Sequence, residues 1–346
     1  RPMTIRYIYL FLALAVVGTW ACGGAPPSVD SNGEGALSAP SVSSNRQQFV
    51  GAWSLTTIER RNVEGELLTA PLEDRVGYLI YDADGYMGVT IMRPGRVPYA
   101  ESEPTAEEAL RDFGTYTSYF GSFSVDEEQQ IITHHLEGSL NPSGVGADYQ
   151  RGYQFAANNL VLSPPAGDDG SQASLTWERL TDLPDTELTE THKSLFGAFR
   201  VESVTRHTTD GYPVEADQYE TAYLFYARSG HMSVHLMRPD RVAFVSGRPT
   251  ADEALSATET YGSYFGPFSV HEIVGCISCP GPRDQGYFLH HRVGSENPGD
   301  SGSDARRYYE LTDSQLILRP PVRTDDEGRQ VISVISWTRL GPDGAR

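Results

Sequence analysis

The chain contains two copies of one sequence pattern, and this duplication constrains its fold more than any other feature. The segment YLIYDADGYMGVTIMRP (78–94) returns as YLFYARSGHMSVHLMRP (223–239), and HHLEGSLNP (134–142) returns as HHRVGSENP (290–298). Each copy spans roughly 140 residues, which is enough to enclose its own hydrophobic core and far longer than a solenoid repeat. We therefore predict two similar domains.

Each copy has the pattern of short β-strands joined by turns. Between residues 53 and 180, runs rich in β-branched and aromatic residues alternate with turn sequences. This spacing is typical of an antiparallel meander, and about eight strands per copy would close a barrel. The turn DADG (82–85) predicts a hairpin between 76–81 and 86–92, and the second copy is expected to turn at 228–230.

One short helix is predicted in each copy. Thr105 and Glu108 form a capping-box pattern in front of apolar residues at helical spacing. Thr250 and Glu253 repeat this pattern in the second copy. We expect each helix to buttress one mouth of its barrel.

Several motifs carry a family resemblance. The sequences GAW from Gly51, GYLIYDADGYM from Gly77, THHLEGSLNP from Thr133 and TWERL from Thr176 resemble the bacterial lipocalin-like domain family of the calycin barrels. The resemblance covers both copies and implies an all-β fold of two tandem lipocalin-like antiparallel β-barrels, each with one short helix. The implied domains are a barrel over 47–181, a linker over 182–193 and a second barrel over 194–341.

The resemblance also implies a structural contact at the floor of each barrel. Lipocalins place a Gly-x-Trp motif on the first strand, and its indole packs under an arginine from the last strand. Trp53 with Arg179, and Phe199 with Arg339, are the corresponding pairs here. We expect a cation–π contact in each, contributing roughly 0.5–2 kcal/mol.

The N-terminal residues indicate export. Residues 1–21 combine two arginines, an apolar run and small residues, which is the layout of a secretory signal peptide. Cys22 begins a Gly-, Ser- and Pro-rich tether over 22–46 and resembles a bacterial lipoprotein processing site. We expect an exported lipoprotein, anchored to a membrane through the lipid on Cys22, in the periplasm or at the cell surface. Without lipidation the protein would be secreted.

Charge and motifs limit the possible partners. A formal net charge of −19 repels phosphate backbones, so nucleic-acid binding is not expected. We find no HExxH motif, Cys/His ligand set or acidic calcium loop, and therefore expect no metal site. No GxGxxG fingerprint follows a strand, and no cofactor is expected. The sequence does not indicate the oligomeric state.

Alternation along 86–92 separates the side chains of that strand into two faces. Met87, Val89 and Ile91 form one face, which stays apolar in the second copy while the opposite face changes in polarity. The retained face is predicted to point into the barrel, with Arg93 at the rim, where it would bind a polar ligand group or pair with a nearby acid. The predicted ligand-binding residues are Tyr78, Met87, Val89, Ile91, Arg93, Tyr119 and Trp177, and their counterparts Tyr223, Met232, Val234, Leu236, Arg238, Tyr264 and Trp337.

Histidines are the candidates for proton transfer. The pairs His134-His135 and His290-His291 contain groups that titrate near neutral pH. Because neighbouring residues of a strand point to opposite faces, each pair offers at most one imidazole to the barrel interior. A structural role, with the imidazole bonded to a backbone carbonyl, is the alternative.

A second cysteine feature distinguishes the second copy. Cys276 and Cys279 lie in an insertion that the first copy lacks. In an exported chain we expect them to form a disulfide that staples this loop.

Three functions follow from these observations. The first is the binding or transport of a small hydrophobic molecule inside a barrel, without catalysis. The second is an isomerase or cyclase that acts on a hydrophobic substrate in the barrel, with a histidine or tyrosine as proton donor. The third is a structural or partner-binding surface protein whose barrels are filled by side chains.

Overall fold

The computed structural model describes residues 45–273, 275 and 279–341. The first barrel is formed by eight strands: β1 (Gly51–Arg61), β2 (Val76–Tyr81), β3 (Tyr86–Met92), β4 (Tyr116–Asp126), β5 (Ile131–Ser139), β6 (Asp148–Ala156), β7 (Asn159–Ser163) and β8 (Gln172–Arg179). They pair in sequence order, and β8 pairs with β1 to close the barrel. Antiparallel pairing of consecutive strands therefore builds the wall, and the β1–β8 pair joins its two distant ends.

The second barrel repeats this order. Its strands are β9 (Gly197–Thr208), β10 (Pro213–Val214), β11 (Thr221–Tyr226), β12 (His231–Met237), β13 (Tyr261–Glu272), β14 (Gly286–His291), β15 (Gly294–Ser295), β16 (Asp304–Leu311), β17 (Gln315–Arg319), β18 (Arg323–Thr324) and β19 (Gln330–Arg339). Pairing of β19 with β9 closes the wall, while β10 and β18 extend its edges. The predicted all-β tandem barrel fold is confirmed.

Turn residues set the strand boundaries as the sequence predicts. The hairpin of β2 and β3 turns at 82–85, where Gly85 has a φ of 100° that favours glycine. The corresponding turn of the second barrel contains Gly230 with a φ of 75°. Both hairpins are confirmed.

Four helices accompany the barrels in the described part of the chain. They are α1 (Asn45–Phe49), α2 (Ala106–Phe113), α3 (Glu190–Leu195) and α4 (Ala251–Glu259). The predicted helices are α2 and α4, and both begin with the expected capping boxes at Thr105 and Thr250. Three short 3-10 helices span Pro142–Gly144, Asp185–Glu187 and Pro298–Asp300.

The sequence reading missed α1 and α3, which precede the first strand of each barrel. Phe49 at the end of α1 and Leu195 at the end of α3 are fully buried in the cores of the first and second barrel. The Trp53 indole N–H donates to the carbonyl of Phe49 at 2.8 Å and holds α1 in place. These helices are too short to show a periodic pattern.

The cation–π contacts at the barrel floors are present in both copies. The Arg179 guanidinium lies 4.0 Å from the Trp53 ring centroid, and that of Arg339 lies 4.5 Å from the Phe199 ring. Arg179 also donates to the Val50 carbonyl at 2.7 Å. Each arginine thus ties the last strand to the chain that enters the first strand.

The two barrels pack through the outer faces of corresponding strands, β2–β4 in the first and β11–β13 in the second. The ring of Tyr78 lies 5.1 Å from that of Phe265, and the ring of Tyr223 lies 4.9 Å from that of Phe120. Tyr223 is the copy of Tyr78, and Phe265 is the copy of Phe120. The contact is therefore reciprocal, as in a symmetric dimer.

Two arginines clamp this interface from opposite sides. Arg96 donates to the backbone carbonyls of Ser295 and Glu296 at 2.6 Å each. Its copy, Arg241, donates to the carbonyls of Ser139 and Leu140. Each guanidinium thus satisfies carbonyl groups of the other barrel.

Candidate functional site

Most of the predicted ligand-binding side chains face a barrel interior. In the first barrel Met87, Val89, Tyr119 and Trp177 belong to the buried interior cluster, with Ile91 packed at its edge. The second interior contains the counterparts Met232, Val234, Trp337, Leu236 and Tyr264. These clusters consist of tightly buried side chains and form the cores of the two barrels. Their binding role stays a prediction.

Tyr78 and Tyr223 lie between the two barrels rather than inside one of them. Tyr78 is paired with Thr90 across β2 and β3, and directly paired residues point to the same side of a sheet. That side faces the other barrel, so both tyrosines are buried in the inter-barrel cluster. Their role in ligand binding stays a prediction, because a position between the barrels does not test it.

The two rim arginines are exposed. Arg93 and Arg238 follow the ends of β3 and β12. Arg238 forms an ion pair with Asp217 at 2.8 Å, which matches the alternative of a nearby acidic partner. Neither arginine adjoins the cavities described below.

Each barrel interior contains one histidine held between two tyrosines. In the first barrel the His134 ring lies 2.7 Å from the Tyr81 hydroxyl through Nε2 and 3.2 Å from the Tyr119 hydroxyl through Nδ1. Burial, aided by the positive charge of Arg151, lowers the pKa of His134 to about 3. The imidazole is therefore neutral at physiological pH, and one hydroxyl donates to it while the other accepts.

The second barrel repeats this arrangement. His290 lies 2.8 Å from the Tyr226 hydroxyl and 2.9 Å from the Tyr264 hydroxyl, and burial lowers its pKa far below the usual range. Both ring nitrogens are used, as in His134. The interior histidines thus act as neutral bridges between strands.

The interiors share one further polar feature. The indole N–H groups of Trp177 and Trp337 are buried, and within the described chain neither has a hydrogen-bond acceptor. A buried N–H without an acceptor costs about 1–3 kcal/mol. The same unsatisfied donor therefore occurs in both copies.

The other histidine of each pair lies on the outside, as strand alternation predicts. Its ring is bonded on both sides, with a serine at Nε2 and an aspartate at Nδ1. These contacts join His135 to Ser124 and Asp148, and His291 to Ser269 and Asp304.

A cavity of 640 Å³ lies in the cleft between the barrels. The first barrel contributes Tyr86 and Glu137, and the second contributes Arg200, Tyr219 and Tyr223, among others. The Tyr223 hydroxyl donates to Glu137 Oε2 at 2.6 Å. Burial, together with this carboxylate, raises the pKa of Tyr223, so the phenol stays protonated. The cleft thus combines aromatic walls with a partly buried hydrogen bond and a cation.

The cleft is one of the places where the two copies differ. Glu137 corresponds to Val293, and Arg200 corresponds to Ser54. The Arg200 guanidinium has no ion-pair partner in the described part of the chain. The corresponding positions on the other side of the interface therefore carry no charged side chain.

A second cavity of 710 Å³ adjoins the first barrel. It shares Tyr86 and Glu137 with the cleft and extends to Arg46, Phe123 and Ser124. The two cavities therefore meet at one pair of side chains.

The family model for the lipocalin-like domain matches residues 50–180 and 196–340. The chain belongs to the lipocalin-like domain family. A search of curated proteins found no match.

Three solved structures illustrate what this lipocalin-like chain is similar to. A protein of unknown function from Nostoc punctiforme is 12% identical over 86% of this chain and 100% of its own, with a TM-score of 0.22. An uncharacterized yeast protein from Saccharomyces cerevisiae is 10% identical over 84% and 98%, with a TM-score of 0.36. Transferrin-binding protein B from Haemophilus parasuis is 8% identical over 84% and 75%, with a TM-score of 0.19.

Other predicted sites of this lipocalin-like protein are only partly described. Cys22 and Cys276 lie outside the described residues, whereas Cys279 takes part in a disulfide bond. Within the described residues no group of three or more His, Cys, Asp and Glu side chains is arranged to hold a metal ion. None of the described helices is long and apolar enough to cross a bilayer.

Sequence reasoning missed Arg200, Tyr86 and Tyr219 as cavity residues. Comparing the two copies would have marked Arg200, because Ser54 stands at its place in the first copy. Nothing in the sequence places it in one cavity with Glu137, since the packing of two barrels forms that cavity.

Proposed function

We propose that the protein binds a small amphipathic molecule in the cleft between its two barrels. The observation that carries this proposal is the 640 Å³ cavity to which both barrels contribute. Its volume is within the range of about 300–1,000 Å³ that is typical of small-molecule sites. The barrel interiors, by contrast, are filled by their own side chains.

The lining indicates the chemistry of the ligand. The rings of Tyr86, Tyr219 and Tyr223 offer apolar surface, and the ring centroids of Tyr86 and Tyr223 lie 5.6 Å apart. Arg200 offers an unpaired cation to an acidic or hydrogen-bond-accepting group. An aromatic or alicyclic molecule with one anionic group fits this combination.

Binding is tested with 8-anilino-1-naphthalenesulfonate, an aromatic anion that fluoresces in apolar sites. We expect saturable binding at one site per chain. The double variant Arg200→Ser and Glu137→Val gives the cleft the side chains that the other copy carries. Loss of the charged contact should weaken binding at least about 10-fold, because such a bond contributes roughly 1.5–3 kcal/mol.

Arg93→Ala is the matched control, since that arginine is exposed away from the cleft and its loss should leave the affinity unchanged. Unaltered affinity in the double variant would refute the cleft as the site. Native mass spectrometry of protein purified gently from its own host then identifies the class of any molecule that stays bound.

A second candidate is ligand binding inside the barrels. The unsatisfied indole N–H groups of Trp177 and Trp337 favour it, because a carbonyl-bearing hydrophobic molecule would satisfy them. Trp177→Phe and Trp337→Phe would then weaken binding, whereas the cleft variants would not. The two candidates are thus separated by the same titration.

The proposed location is the cell envelope. The signal-like residues 1–21 and the lipoprotein-like Cys22 support export and a lipid anchor. Cys22→Ala should shift the protein from the membrane fraction to the soluble exported fraction. A membrane fraction that is unchanged in this variant would exclude the lipid anchor.

A further inference from the structure

Three side chains on the outside of the first barrel form a hydrogen-bonded chain that ligand binding in the cleft does not use. Ser124 Oγ lies 2.8 Å from His135 Nε2, and His135 Nδ1 lies 2.7 Å from Asp148 Oδ1. We propose that this group is a catalytic site that hydrolyses neutral carboxylic esters, with Ser124 as the nucleophile. The order serine, histidine, aspartate, with the serine at Nε2 and the aspartate at Nδ1, is that of the triad used in nucleophilic hydroxyl catalysis.

Strand register brings the three residues together. His135 on β5 is paired directly with Asp148 on β6, and with Ser122 on β4. Ser124 is two residues further along β4 and therefore on the same face, diagonally opposite the histidine. The side chains are thus held on adjacent strands of a closed barrel, which gives a nucleophile and its base a fixed separation.

The second copy keeps the same three residue types. Ser269 Oγ lies 3.2 Å from His291 Nε2, and His291 Nδ1 lies 2.8 Å from Asp304 Oδ1. There the serine hydroxyl is also 3.0 Å from Nε2 of His271. Because two imidazoles share that hydroxyl, we assign the activity to the first copy.

The first copy also has room for a substrate. Ser124 lines the 710 Å³ cavity together with Phe123, Val125 and Arg46. Pairing of β3 with β4 ends at Ser122, so the next part of the β4 edge borders the cavity rather than a strand. The Phe123 N–H donates to the Gly85 carbonyl across this edge. Because N–H groups two residues apart on a strand point to the same side, the Val125 N–H also points toward this edge.

These groups supply what the reaction needs. The Val125 N–H and the Arg46 guanidinium are the donors available to a developing oxyanion. Carboxylates on the same wall would repel an acidic substrate, which favours a neutral ester. They are Asp84, Glu127 and Glu137.

The reaction proceeds in two balanced halves. Ser124 Oγ bonds to the ester carbonyl carbon while its proton passes to His135 Nε2, and the C–O bond to the alcohol then breaks as that proton moves to the leaving oxygen. Water next attacks the acyl carbon and gives a proton to His135, which returns it to Ser124 Oγ as the acid leaves. Asp148 is a positioning residue that orients the imidazole and stabilises its cationic form.

The test uses the purified full chain and an alkyl fluorophosphonate, which phosphonylates activated serines with loss of fluoride. We expect one adduct per chain, located on Ser124 by peptide mass mapping, and p-nitrophenyl butyrate hydrolysis that the adduct abolishes. His135→Ala should slow both reactions at least about 100-fold, because the general base is lost. Asp148→Asn should slow them as well, and Asp148→Glu should restore part of the rate.

Ser269→Ala is the matched control, because it removes the corresponding serine of the second copy and leaves the Ser124 site intact, so adduct formation and hydrolysis should be unchanged. All substituted side chains are at least partly exposed, so the thermal unfolding midpoint should change little in each variant. The absence of an adduct, or an adduct that persists in Ser124→Ala, would overturn the assignment. In that event the three residues are only a cross-strand hydrogen-bond ladder.

Discussion

At the scale of single residues, burial rather than residue type decides what each histidine does. His134 and His135 are neighbours, yet one is 1% exposed between two phenols and the other has an outward-facing, partly exposed side chain. His235 is a third case, because the packing of the barrels buries it and lowers its pKa to about 3. It is bonded to Ser118 and Ser233. Identical imidazoles thus serve as core bridge, surface group and interface group.

The buried histidines make the stability of the fold decrease at low pH. The pKa of His134 is about 3 in the fold and 6.5 in the unfolded chain, so only the unfolded chain takes up its proton between these values. Stability is full above 6.5 and falls with decreasing pH, by up to about 1.4 kcal/mol per pH unit for each such group. His134→Gln should lower the number of protons taken up on unfolding by about one, as measured from the pH dependence of the urea unfolding free energy between pH 7 and 4. The adjacent exposed variant His135→Gln serves as control, and an equal slope change in both would contradict the interpretation.

Glu296 shows the opposite dependence. Burial raises its pKa to about 8, despite the nearby positive charge of Arg96. Between pH 4.5 and about 8 the carboxyl group is therefore ionised mainly in the unfolded chain. The stability of the fold declines as the pH rises through this window. Leu140 stands at this place in the first copy, so Glu296→Leu should raise the thermal midpoint more at pH 8 than at pH 4.5. An increase that does not depend on pH would argue against a buried, titrating carboxyl group.

At the scale of elements, the Arg96 clamp holds a loop of one barrel against the other. Arg96→Ala would leave the carbonyls of Ser295 and Glu296 without their charged donor, at a cost of about 3 kcal/mol. The cation–π contact with Tyr116, at 5.1 Å, would be lost as well. The midpoint of urea unfolding measures this effect. Arg93→Ala, on the same segment but exposed, should change the unfolding free energy by less than about 0.5 kcal/mol, and an equal loss in both variants would speak against the clamp.

At the scale of the whole molecule, we expect the inter-barrel cluster to make the two barrels unfold as one unit. Gly88 is buried in this interface, and a Cβ there would lie 2.6 Å from His235 Nε2 and 2.9 Å from the Phe225 ring. Gly88→Val should therefore separate the barrels and split a single calorimetric transition into two. In Gly114→Ala the added Cβ meets nothing within 4 Å, so one transition should remain. A single transition in Gly88→Val would mean that the barrels are coupled in another way.

Local sequence patterns were sufficient to predict most of the secondary-structure elements. The turns at 82–85 and 228–230, the helix caps at Thr105 and Thr250, and the interior face of β3 could all be predicted, because each depends on residues within one or two turns of chain. The tandem β-barrel fold follows from these elements and their duplication. The two helices before β1 and β9 escaped prediction, since tertiary contacts of Phe49 and Leu195 stabilise them rather than any helical repeat.

The candidate functional sites could be located only from the tertiary structure. Both faces of β2 are buried, so only the packing of one barrel on the other shows that Tyr78 faces the interface. The hydrogen bond from Tyr223 to Glu137 joins residues that are 86 positions apart, across two domains. The sequence by itself determined the duplicated barrels, because hydrophobic period and turn chemistry are local properties. The cleft and the Ser124 site depend on strand register and domain packing, which join residues far apart in the chain, and only the tertiary structure decided them.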